Sequence, residues 1–75
     1  MKLFIINIAY GTATAVAKDK IGVLTLIVKH PVLQHCFTDL NGTFMPSQQI
    51  IDHINEVPGY TVSGETESII DWYRE

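Results

Sequence analysis

Apolar and polar positions along residues 2–9 alternate in a way that predicts a β-strand. Phe4, Ile6 and Ile8 share one face, with Leu3, Ile5, Asn7 and Ala9 on the other. Both faces are largely apolar, as in a strand covered on both sides. A domain this small has little material to cover two faces, so the strand points to self-association or to a partner. Tyr10-Gly11 supplies a turn, and residues 12–17 run back as a second strand. Ala13, Ala15 and Ala17 lie on one face of it, opposite Thr12, Thr14 and Val16, and so small a face lets a helix approach closely. The helix propensity of alanine offers a rival reading of residues 12–18. The alternation of threonine with alanine favours the strand.

Residues 20–30 are rich in β-branched residues, but their polar and small positions are spaced as in a helix. Lys18, Gly22, Thr25 and Lys29 fall at steps of four, three and four, one narrow helical stripe on a buried central helix. Asp19 is its expected N-cap, and Pro31 stops it near Lys29. Val32, Leu33, Cys36 and Phe37 continue the apolar pattern in a short second turn with Pro31 at its first position. Asp39-Leu40-Asn41-Gly42 reads as a loop. From Ser47, as N-cap, the stripe Ile50, Ile51, Ile54 and Val57 predicts a helix that Pro58-Gly59 ends. Tyr60-Thr61-Val62 then reads as a short strand and Ser63-Gly64 as a turn. Residues 66–75 fit either of two elements: a helix capped by Thr66, or a strand from Ser68 to Tyr73 with Ile70 and Trp72 on one face. The expected fold is α+β: a small N-terminal β-hairpin or antiparallel sheet packed against two helices, closed by a C-terminal strand or short helix.

The chain is 75 residues long, 47% apolar and 17% charged, which makes residues 1–75 a single small globular domain. Such a chain buries only about 60% of its unfolded surface. One cysteine excludes an intramolecular disulfide framework and four-cysteine zinc sites. Residues 3–10 followed by Ala15-Val16-Ala17 have the outline of a secretory signal. Asn7 and Tyr10 dilute its apolar region, and Lys2 is its one basic flank, so the expectation is a cytoplasmic protein. No apolar run approaches the roughly 20 residues of a membrane span. Asn41-Gly42-Thr43 has the form of a glycosylation sequon, but Asn-Gly here reads as a turn.

Net charge is −3, against the basic footprint of a nucleic-acid binder. The charges are segregated. Residues 1–38 hold four lysines and one aspartate, net +3, and residues 39–75 hold seven carboxylates and Arg74, net −6. An acidic half with aromatic residues suits a partner with a basic surface. The residues expected to meet that partner are Tyr60, Glu65, Glu67, Asp71, Trp72 and Tyr73. Phe44 and Met45 are further interface candidates, since aromatic residues and methionine favour interface centres.

Candidate chemistry is sparse. His30, His35, Cys36 and His53 lack the paired spacing of a zinc site. Cys36 as a nucleophile needs His53 or His30 within reach, and its apolar neighbours suit an inert core cysteine instead. The glycines are scattered, so no phosphate-cradling loop is present. The expectation is a protein that is no enzyme and takes no cofactor or metal. Its size, acidity and lack of chemistry are similar to those of small accessory proteins with which phages block host enzymes or defence complexes, although no family-specific motif is present. The alternative is an oligomer, a homodimer at the least, that binds a small ligand or nucleotide with Lys18, Lys20 and Lys29 on its anion.

Overall fold

The computed structural model describes residues 1–64 and 66–74. Its elements run β1 (Lys2–Ile8), β2 (Gly11–Ala17), α1 (Lys20–Lys29), α2 (Leu33–Cys36), α3 (Ser47–Asp52), β3 (Ile54–Thr61) and β4 (Ser68–Arg74). The fold is α+β. Its antiparallel sheet has the order β3-β1-β2-β4, so the N-terminal hairpin supplies both inner strands and the C-terminal third supplies both edges.

The hairpin follows the alternation of its sequence. Phe4 and Ile6 pair with Ala15 and Ala13 on one face, and all four are buried. Val23 and Ile27 of α1 pack there with Leu33, Phe37, Ile50 and Ile54. The alanines of β2 matter because they have no bulk beyond Cβ, so α1 can sit close over the sheet. Asp19 caps α1 by accepting the Gly22 N–H at 2.8 Å, and the helix ends at Lys29, two residues before Pro31, as the proline rule requires.

The junction between α1 and α2 depends on His30. Its Nδ1 accepts the N–H groups of Val32 and Leu33, both at 3.1 Å, and so serves the start of α2 as a side-chain cap. Pro31 therefore lies before α2, not at its first helical position. Helix α1 is also not buried all round: Ile21 and Val28 face solvent, because the sheet covers only the stripe through Val23 and Ile27.

The largest departure from the sequence reading is the helix expected over 47–57. Helix α3 stops at Asp52, and Ile54 begins a strand. Ser47 is the first helical residue, not the cap; Pro46 holds the cap position and makes no side-chain bond. Buried Ile50 and Ile54 fit a helical stripe, but they also fit a helix that hands over to a strand. Apart from Glu56, residues 51–57 are β-branched or polar types with modest helix propensity, and pairing with the open side of β1 outweighs one more turn. Ile54 lies opposite Ile6 in the core and Asn55 opposite Ile5. Pro58-Gly59 does not end a helix; it sits in a register shift of edge strand β3, with Gly59 at φ +78°.

A second correction concerns β1. The helices cover only the face of Phe4 and Ile6, and Leu3 and Ile5 lie half-buried on the open face. They are shielded by neighbouring strands on either side, since β1 is central.

Two substitutions separate the faces. Ala15→Leu, under α1, is expected to cost about 1–3 kcal/mol by overpacking. Thr14→Leu, on the open face, is expected to change stability by no more than about 0.5 kcal/mol. Urea unfolding of both variants reads the difference.

Candidate functional site

Residues 68–74 form a strand, which resolves the ambiguity at the C-terminus. Strand β4 pairs with β2, with Asp71 opposite Thr14, Trp72 opposite Ala13 and Tyr73 opposite Thr12. A register shift between Thr14 and Ala15 leaves Ile70 as an extra residue. The bulge separates Ile70 from Trp72. Ile70 lines a shallow cleft with Val16 on the open face, while Trp72 shares the helix face with Ala13 and meets the His30 ring edge-on at 6.1 Å. The expectation that Ile70 and Trp72 share a face therefore does not hold.

The bulge leaves apolar groups exposed on both sides of one edge. Trp72 is 42% exposed, Ile70 57% and Tyr73 63%. The hairpin tip adds Tyr10, 76% exposed and held at φ +64°. Gly11 lies opposite Arg74, so Tyr10 stands just past the same end of β4. A bulky residue in the left-handed region is uncommon and costs about 1–2 kcal/mol. In the sequence Tyr10 reads as a turn residue, and the one local sign of a further role is a tyrosine where a two-residue turn favours glycine or asparagine.

Not all the expected partner-binding residues gather here. Asp71, Trp72 and Tyr73 are consecutive on β4. Tyr60 lies on β3, at the opposite edge, about 14 Å away by strand spacing. Glu65 lies outside the described residues. Glu67 is half-buried, and its Oε2 accepts the Lys18 N–H at 3.0 Å and fills the space that a Cβ on Gly22 would take. It anchors the connector that carries the chain from one sheet edge to the other. Phe44 is exposed on the 38–44 loop, and Met45 is packed against the core.

Segregated charge in the sequence does not become one acidic patch. Glu56 is on β3, paired with Lys2 at 3.3 Å, while Asp71 is on β4 and Asp39 folds its own loop by accepting the Asn41 and Thr43 N–H groups. Lys18 and Lys20 flank the start of α1 and Lys29 its end, about 14 Å further on, so the three do not converge within one protomer. An open cleft of about 780 Å³ is lined by Lys2, Lys18, Met1, Thr61 and Gly64.

Cys36 and His53 line one shallow cleft of about 310 Å³ with Asn7. The thiol is turned to the Val32 carbonyl at 3.9 Å, and His53 packs against the Phe37 ring. Among the described residues, no three of His, Cys, Asp and Glu are grouped to hold a metal ion. None of their helices is long and apolar enough to cross a membrane.

Glu67 and Gly22 are expected to be coupled. A Cβ at Gly22 would meet the Glu67 carboxylate. Gly22→Ala should therefore cost about 1 kcal/mol in the native background, through the lost Lys18 bond. In a Glu67→Ala background the carboxylate is gone, but the buried Ala17 Cβ lies 3.3 Å from the new methyl and offsets the helix-propensity gain, so the same change should cost close to nothing. A double-mutant cycle by thermal unfolding measures the coupling.

No family model, curated protein or solved structure matches this chain.

Proposed function

We propose that this chain is a non-enzymatic module that binds another protein through edge strand β4 and the hairpin tip beside it. The observation that carries the reading is the exposed set Tyr10, Ile70, Trp72 and Tyr73 along an edge that no other described strand pairs. Aromatic side chains that present large apolar area with few rotatable bonds dominate the centres of protein interfaces. The two edges also differ. Both edges carry a register shift, but β3 is also guarded by Pro58 and the Lys2–Glu56 ion pair, devices that hinder strand addition. Strand β4 has no proline or lysine.

Tyr10 supports the same reading. A glycine at φ +64° would relieve strain, so a tyrosine there is a cost to the fold that contact with a partner would offset. Within this class we place the chain with small accessory inhibitors that occlude a larger enzyme or defence complex, as phages use. Asp71 beside the aromatics favours a partner whose surface is basic at that point.

The test is a tagged pull-down from the native host lysate at two salt concentrations, read by mass spectrometry. A stoichiometric partner retained by the native chain and lost by Trp72→Ala and Tyr73→Ala, both still folded by circular dichroism, is the expected result. Retention by both variants would remove β4 from the interface. Tyr10→Gly is expected to part stability from binding: it should raise stability by up to about 1 kcal/mol while weakening capture.

A further inference from the structure

The backbone register shows which groups of β4 face outward. Ile8 and Gly11 close a two-residue turn and so form a hydrogen-bonded pair. Alternation along the hairpin then turns the amides and carbonyls of Ala13 and Ala15 toward β1, and those of Thr12 and Thr14 toward β4. The other side of β1 agrees: Asn7, an odd-numbered residue, donates its N–H to the His53 carbonyl on the β3 side at 2.9 Å. Trp72 lies opposite Ala13, so its own N–H and C=O point away from the sheet. That outward N–H is not free, because the Asp71 Oδ1 accepts it at 2.8 Å.

We propose that Asp71 is a guard on the β4 edge, and that the occupant it holds off is β4 of a second copy of this chain. The strand is self-complementary about Trp72. A two-fold axis there sets the two Trp72 residues opposite one another, with both outward N–H and C=O groups placed to exchange bonds once Asp71 lets go. Asp71 then faces Tyr73 of the second copy, and both lie on the open face, opposite Thr14 and Thr12. A register centred on Asp71 instead brings two carboxylates together and opposes Trp72 to Ile70, which the bulge puts on different faces. The Trp72-centred pairing thus joins two sheets into one of eight strands with all helices on one side. Its obstacle is the carboxylate. A charge-assisted bond to an amide is about twice as strong as a neutral one, so exchanging it for a Trp72 carbonyl gains nothing. The inference rests on the register and on that one bond, independently of any other protein partner.

Three variants test it by sedimentation equilibrium from micromolar to millimolar concentration, with amide exchange at Trp72 read by NMR. Asp71→Ala removes the acceptor, and Asp71→Val does so with a better strand former in case the alanine variant folds poorly. Asp71→Asn removes the charge and keeps the acceptor oxygen. The expected result is self-association at least about tenfold tighter for the Ala and Val variants than for the native chain, with Trp72 amide protection that rises with concentration. The Asn variant keeps only a neutral bond, about half as strong, and should fall between the native chain and the Ala variant. The proposal is overturned if the Ala and Val variants associate no more tightly than native, or associate without protecting the Trp72 amide. It is equally overturned if Asn associates as tightly as Ala, which would make charge repulsion the barrier, or if the native chain already pairs through β4.

Discussion

Both inner strands of the sheet come from the first seventeen residues, and the rest of the molecule is arranged around that fact. A hairpin placed at the centre has two open sides, and the chain must return to fill both. It does so with β3 beside β1 and β4 beside β2. The connector between them therefore crosses the end of the hairpin. Its course is held by two bonds between Met1 and Val62, and by Glu67 on the Lys18 amide. Gly22 gives that carboxylate room at the start of α1.

The same constraint sets the relation between the two layers. With the helices all on one face, that face must be deep enough to bury Val23, Ile27, Leu33 and Ile50. Phe4 and Ile6 fill the β1 side, and the alanines of β2 leave space for α1. His30 joins these layers to the edge. Through Nδ1 it caps α2, and through the ring it meets Trp72, so the exposed indole stands on a fixed support. Preorganisation of this kind lowers the ordering cost of an interface.

The two edges of the sheet are finished in different ways, and the difference is chemical. Strand β3 loses its regular ladder at Pro58-Gly59, so little remains for another strand to read. Strand β4 keeps its outward groups at Trp72 and covers the amide with a neighbouring carboxylate. A covalent block is permanent; a side-chain acceptor can be displaced.

The hairpin, its alanine face, the Asp19 cap and the stop at Pro31 were all legible in the sequence. Each depends on alternation or capping within a few residues, and local sterics decide such features. The 39–42 loop was legible for the same reason. The second half of the expected 47–57 helix was not, because Ile50 and Ile54, four residues apart, suit either period and only the vacant side of β1 selects the strand. The C-terminal segment was equally open until β2 offered it a partner. The candidate site followed the same division. Trp72, Tyr73 and Asp71 stood out as residue types, but their grouping with Tyr10 and separation from Tyr60 come from strand order. The sequence by itself determined the elements whose period and caps are local. Tertiary structure decided which strands became edges, because an edge is defined by the neighbour a strand lacks and no stretch of sequence carries that.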